Sequence, residues 1–286
     1  MIIGGDRKPV IENIKKAANA RDFTAKGELG DPEMSLAERS KLVADFWDKQ
    51  NQPVTKLNHA AGHLIVDILA RKFNRDTRIK GLSELKNAPQ HAIITCNHFN
   101  QIDALAVKYL TQKVHHKLSI VIEDTNLKLP GILSYLMYNI GTIPLLRTPN
   151  YVGRDMPEHI KDAMVKNNWV LIYPEQEMWW NYRKPRKPQR GAYYYAARLN
   201  VPIISLFIEI QDTDKVEKDY PDFYETRYVI HVLKTLYPDP TIGVNAAASK
   251  LAAQDYAQKV AAYEECYGKK LNYDFQPWDI AGWRGQ

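Results

Sequence analysis

Six short apolar runs punctuate the chain between residues 92 and 233, and helical spacing fills most of the gaps between them. The runs are Ala92–Thr95, Leu118–Ile122, Thr142–Leu146, Trp169–Tyr173, Pro202–Glu209 and Arg227–Leu233. A run that is apolar at most positions suits a strand covered on both faces, and strands alternating with helices belong to layered α/β domains. The pattern therefore predicts an α/β fold with a mixed, mostly parallel central sheet flanked by helices. Val244 to about Tyr267 reads as a long final helix. Ahead of the sheet, Ser35 and Glu38 have capping-box spacing, and Leu36, Leu42, Val43, Phe46 and Trp47 follow helical spacing after them. A second helix is expected after Pro53, with Leu57, Ala61, Leu64, Ile65, Ile68 and Leu69 on one face. These two helices are expected to form an amphipathic N-terminal hairpin. The predicted division is a polar, loosely packed leader (1–33), the hairpin (34–75) and an α/β domain (76–286) that forms one unit with the hairpin.

Composition narrows the class. With 45% hydrophobic residues over 286 positions, the chain can bury a sizeable core, and disordered or collagen-like classes are excluded. Two cysteines, Cys96 and Cys266, cannot build a disulfide framework, so a reducing, cytoplasmic compartment is expected. No signal-like apolar run precedes the first charges. The longest uncharged stretch, Leu129 to Leu146, is interrupted by Pro130, Gly131, Asn139, Gly141 and Pro144. It is expected to be a buried helix and a strand rather than a membrane span. The net charge of +6 is concentrated: Arg183, Lys184, Arg186, Lys187 and Arg190 fall within eight residues.

Three strand ends carry reactive groups. Asn97-His98-Phe99-Asn100-Gln101-Ile102-Asp103 follows the run Ala92–Thr95 and leads into a helical pattern. On a continuous helix His98 and Asp103 would stand about 140° apart. A strand-to-helix turn instead folds the carboxylate back to the imidazole, where it fixes one ring N–H and leaves the other nitrogen to take a proton. Trp169–Tyr173 runs into Pro174-Glu175, and Gly141–Leu146 ends at Arg147. Ligands of open α/β sheets bind at such carboxyl ends.

These residues, in this order, resemble the glycerolipid acyltransferases of the lysophosphatidate (1-acyl-sn-glycerol-3-phosphate) acyltransferase type. Ile79–Leu85 is similar to the lead-in of that family, and Asn97-His98…Asp103 to its N-H-x4-D block. Pro130-Gly131 with Gly141…Arg147 is similar to the second block. Tyr173-Pro174-Glu175 resembles the start of F-P-E-G-T-R, Gly191-Ala192 the glycine closing the loop after it, and Val201–Ile204 the fourth block. The resemblance covers about residues 77–210. It implies that His98 deprotonates an acceptor hydroxyl attacking an acyl thioester, that Asp103 orients His98, and that transfer is direct. Asn97, Arg147 and Glu175 would then help place the acceptor. No metal and no bound cofactor are implied; acyl-CoA or acyl carrier protein is the co-substrate. The chain departs from the pattern in the third block, which reads Pro174-Glu175-Gln176-Glu177-Met178-Trp179, with Met178 where the family has arginine. Asn100 and Ser205 stand where serine and proline are common.

Within the basic run, Arg183 and Arg190 are candidates to replace that arginine or to hold donor phosphates. Trp179, Trp180 and Tyr182 suit either an interfacial anchor or core packing. His59 and His63 stand four apart on a helix without a third metal ligand, and the cysteines lack a partner that would activate them. No G-x-S-x-G or Gly-rich phosphate loop is present. The expectation is an acyltransferase acting on a lysophosphatidate-like lipid, peripheral on the cytoplasmic face of a membrane, with no nucleic-acid partner. A glycolipid acceptor, or a non-catalytic lipid-binding role on the same fold, is the alternative.

Overall fold

The structure, a computed structural model, describes residues 7–30, 32–50, 52, 55–166 and 168–285. Pro53, the expected start signal of the second helix, and residues 1–6 of the leader lie outside the described residues. The elements are α1 (Arg7–Ala20), α2 (Leu36–Gln50), α3 (Thr55–Phe73), β1 (Arg78–Lys80), β2 (Ile93–Thr95), α4 (Ala104–Lys113) and β3 (Lys117–Glu123). They continue with α5 (Ile132–Asn139), β4 (Thr142–Leu145), α6 (Met156–Val165), β5 (Asn168–Leu171), α7 (Gly191–Leu199), β6 (Ile203–Val216), β7 (Tyr224–Val232) and α8 (Val244–Tyr267).

Each of the six apolar runs forms a strand, and the strands lie in the order β1-β7-β6-β2-β5-β3-β4. Neighbours are parallel except β6 and β7, whose antiparallel ladder pairs Phe207 with His231 and Glu209 with Val229. The α/β class with a mixed, mostly parallel sheet is as the sequence predicts. The continuous apolar runs are explained by burial on both faces. Ile93, Val170 and Ile203 join Tyr193, Ala196 and Leu251 from α7 and α8, whereas the next residues, Ile94, Leu171 and Ile204, join Ala106, Val107 and Leu110 from α4. Each such aliphatic side chain contributes about 1.5–3 kcal/mol when fully buried.

The N-terminal segment corrects one expectation. Residues 7–20 are not loosely packed: Val10, Ile11, Ile14, Ala17 and Ala18 are buried and cluster with Trp179, Trp180, Tyr182, Phe223 and Ile280. Their spacing is helical, but Glu12, Asn13, Lys15 and Lys16 in the same turns make the average read as polar. Arg7 anchors the helix start, paired with Glu217 at 2.8 Å and stacked over Tyr220.

Both expected helices of the 34–75 region form. The capping box at α2 is present, with the Glu38 N–H donating to Ser35 Oγ at 3.3 Å and the Ser35 N–H to Glu38 Oε2 at 2.8 Å. The apolar faces settle separately on the body. Leu42 and Phe46 of α2 pack on Ile122 and Leu127, while α3 lies on α4 and α5. At Gly62 an added Cβ would stand 2.8 Å from the Asn139 carbonyl oxygen, so only a glycine admits α5 this close. The inward face of α3 is therefore Gly62, Val66 and Ala70. Leu57, Leu64 and Ile68, expected on its apolar face, are 75%, 60% and 54% exposed.

Candidate active site

His98 lies three residues beyond the end of β2, and Asp103 stands at the start of α4. The turn between them folds as expected: His98 Nδ1 meets Asp103 Oδ2 at 2.8 Å. The same oxygen accepts the N–H of Phe99 at 2.9 Å and of Asn100 at 3.2 Å, so the carboxylate closes the turn as well as holding the ring. Asp103 is buried, and 21% of the His98 side chain is exposed. With Nδ1 engaged by a carboxylate, Nε2 is the nitrogen left for a reacting proton.

Glu175 sits behind this turn. Its Oε2 accepts the backbone N–H of His98 at 3.2 Å and Nε of Arg186 at 3.1 Å, and its Oε1 accepts the backbone N–H of Arg186 at 2.9 Å. Arg186 donates further to the carbonyls of Phe23 and Glu177 and lies over the Trp179 ring, 4.5 Å from its centroid. Burial pulls the Arg186 pKa below its ordinary value, and Glu175 acts against that loss. The segment after Glu175 then wraps the turn, with the N–H of Trp179 on the His98 carbonyl at 3.2 Å and that of Asn181 on the Phe99 carbonyl at 2.7 Å.

Arg147 stands on the same rim, 46% exposed. It pairs with Glu123 at 3.0 Å and Glu177 at 3.7 Å. Arg39 of α2 joins the group by holding Asp124 through Nε (2.8 and 2.9 Å) and Glu123 through Nη2 (2.6 Å).

Residues 77–209 match the acyltransferase family model. Over these residues, somewhat less than half of the chain, the sequence is similar to the acyltransferase family. The matched span contains His98, Asp103, Arg147, Glu175 and Arg186. No curated protein sequence matches the chain. Among solved structures it is similar to the 1-acyl-sn-glycerophosphate acyltransferase PlsC of Thermotoga maritima. The two share 14% identity with a TM-score of 0.47, over 92% of this chain and 99% of that one.

Several residues expected in the acyltransferase site are placed elsewhere. Asn97 is buried, giving Nδ2 to the Ile208 carbonyl (3.0 Å) and taking the Ile208 N–H on Oδ1 (2.8 Å), so it clamps β6 rather than facing substrate. Arg183 is buried against Asp212 at 2.5 Å and over Trp278. Lys184 is buried on Asp279 at 2.7 Å. Arg190 is exposed and bonds Asn245 at the start of α8. Glu175, expected to touch the acceptor, is occupied by Arg186 and His98. The basic run is thus largely internal, because carboxylates distant in sequence neutralise it. Trp179, Trp180 and Tyr182 are buried and pack against α1, which favours the core reading over an interfacial anchor. Met178 is also buried.

Two contributors carry no local signal in the sequence. Arg186 looks like one cation among five. The Tyr173 hydroxyl, bonded to Asp103 Oδ1 at 2.5 Å, looks like the end of a strand. Side chains of metal-ligand type converge only at Glu209, His231 and Cys266 among the described residues. There the carboxylate is already engaged by His231 at 2.7 Å and by Gln211 at 2.5 Å.

Breaking the buried pair from one side leaves a charge without its partner. Glu175→Gln is expected to lower the unfolding free energy by about 3–5 kcal/mol in urea denaturation. The double variant Glu175→Gln/Arg186→Met should lose less than the single one. A single variant within about 1 kcal/mol of wild type, the level of an exposed ion pair, would show that the pair does not hold the site.

Proposed function

We propose that the protein transfers a fatty acyl group from acyl-CoA or acyl carrier protein to a hydroxyl of a lysophosphatidate-like glycerolipid. The observation that carries this reading is the His98–Asp103 pair at the carboxyl end of β2, with Nδ1 held and Nε2 left for substrate, inside the matched acyltransferase span. A hydroxyl is a poor nucleophile near neutral pH unless a base removes its proton as it attacks. His98 Nε2 takes that proton while the acceptor oxygen bonds to the thioester carbonyl carbon. Collapse of the tetrahedral adduct breaks the C–S bond, and the imidazolium returns the proton to the departing thiolate. Asp103 holds the ring throughout. Arg147, exposed on the same rim and ending the strand next to β3, is the cation we assign to the acceptor phosphate, since a guanidinium matches phosphate oxygens in pairs. The buried Met178 supports a narrower cationic site than the family pattern implies, which keeps a glycolipid acceptor as the second reading.

A lysophosphatidate-like acceptor is drawn from a membrane, and the outer face of α3 suits that source. Leu57, Leu64 and Ile68 share one exposed helical face, with Ile132 of α5 exposed beside them and Lys56, Arg71 and Lys72 exposed along the same helix. An apolar stripe edged by cations lies in the plane of an anionic bilayer surface. No helix among the described residues is long and apolar enough to cross a membrane. We assign α3 to peripheral docking.

Thiol release from acyl-CoA or acyl carrier protein, measured with a panel of lysolipid and glycolipid acceptors, tests the chemistry. His98→Ala should reduce release by at least about 100-fold, the scale of a lost general base. Release that persists in this variant for every active pair removes His98 from the reaction. In the same assay Arg147→Ala should raise the acceptor KM well above any change in the donor KM; equal changes would take Arg147 out of the acceptor site. Docking is read separately by flotation with vesicles containing anionic lipid. Leu64→Ser/Ile68→Ser should float less than wild type while staying folded by circular dichroism, and undiminished flotation would move the docking face elsewhere.

A further inference from the structure

The third block of this chain begins with Tyr173, where the family pattern it resembles has phenylalanine, so the hydroxyl is an addition. That hydroxyl donates to Asp103 Oδ1 at 2.5 Å. Its ring lies on the His98 imidazole, with centroids 4.0 Å apart and planes inclined by 16°. One residue therefore touches both members of the pair, the base by its face and the carboxylate by its far oxygen. Asp103 in total accepts from Tyr173 on Oδ1 and from His98, Phe99 and Asn100 on Oδ2. Burial, together with the adjacent Asp103, pushes the Tyr173 phenol well above its usual range, so the oxygen keeps its proton and donates it.

We propose that Tyr173 is a positioning residue for the acyl-transfer base, its hydroxyl drawing charge from Asp103 and its ring fixing the imidazole so that Nε2 stays open to the acceptor. The inference rests on the reading of His98 as that base. A carboxylate that shares its charge among several donors stabilises a neighbouring imidazolium less than one facing the imidazole alone. Tyr173 thus lowers the charge that Asp103 presents to the His98 ring, while Asp103 still fixes the tautomer. The other titratable groups facing the pair are Cys96 on the preceding strand end, Tyr228 on β7, Glu175 through the His98 N–H, Arg186 through Glu175, and Glu28 beyond Gln101. All of these remain when only the Tyr173 oxygen is removed.

Tyr173→Phe removes the oxygen and keeps the ring. The His98 ring proton signal, assigned by comparison with His98→Ala, is titrated by NMR in both proteins, and thiol release is measured across the same pH range. The sign follows from the charge. With one donor fewer, Asp103 holds the imidazolium more strongly, so the His98 midpoint moves up and the acidic limb of kcat/KM moves up with it. We expect a rise of roughly half a unit or more and a fall in kcat of about 3–10-fold at neutral pH, with both KM values within about two-fold. Incorporation of 3-fluorotyrosine at position 173, a stronger donor of the same shape, should move the midpoint down and keeps the test open if the Phe variant does not fold. An unmoved midpoint and rate, with release still lost in His98→Ala, overturns the role of Tyr173 and leaves the His98 reading standing. Release that survives His98→Ala overturns the His98 reading and the role of Tyr173 with it.

Discussion

Glu175 and Arg186 are both buried, and neither could occupy its place without the other, because an unpaired interior charge costs several kcal/mol even after relaxation. Their pairing uses only part of what each group offers. Glu175 has capacity left for the His98 N–H, and Arg186 has donors left for the carbonyls of Phe23 and Glu177. One ion pair therefore ties together the turn that carries His98, the loop that follows β5, and the chain leading out of α1. Trp179 completes the joint, lying under the guanidinium and donating its ring N–H to the Ala25 carbonyl at 2.9 Å. Positioning of His98 and the packing of the N-terminal helix are consequently one problem, solved by one pair of charges.

The same logic reorganises the charge of the molecule. A net +6 with five cations in eight residues suggests a basic surface, yet Arg183, Lys184 and Arg186 are internal, each matched to a carboxylate. Asp212 and Asp279 lie 29 and 95 residues from their partners, which is why a local reading sees an excess that the fold removes. Of the run, only Lys187 and Arg190 remain exposed, and other exposed cations include Lys56, Arg71 and Lys72 along α3 and Arg147 at the rim. The surface charge of this segment is thus set by tertiary pairing rather than by its count of cations.

The strands and the His98–Asp103 turn were legible because both are local. A run buried on two faces is written in consecutive residues, and a turn five residues long closes on itself. What escaped reading depends on contacts made across the sequence. The apolar stripe of α1 sits among charged neighbours and becomes a core only against Trp179, Trp180 and Phe223. The face of α3 was read from its large side chains, but Gly62 lets Asn139 approach so closely that the small-residue face turns inward. Asn97 reads as a site residue by its place beside His98, whereas the nearest unpaired backbone belongs to Ile208 of β6 and takes both its donor and its acceptor. The likeness of residues 77–209 to the acyltransferase family followed from ordered strand ends, while the environment of each charged residue did not.

The altered third block illustrates how far a pattern can change while its geometry holds. Gln176 stands where the family pattern has glycine, and it keeps a left-handed backbone, φ 64°. For a residue with a side chain that conformation costs about 1–2 kcal/mol. The cost is met on both sides of the position. The Gln176 N–H bonds the Tyr173 carbonyl at 3.2 Å, that of Glu177 bonds the Glu175 carbonyl at 2.9 Å, and Arg186 holds the carbonyl of Glu177. The tight turn after Glu175 is therefore imposed by the buried ion pair and its hydrogen bonds rather than by glycine's freedom. What the loop loses is the arginine side chain, since Met178 turns into the interior. The departures thus separate two parts of one short segment: the brace behind His98 survives by hydrogen bonding and charge, whereas the arginine of the family pattern is replaced by the buried Met178.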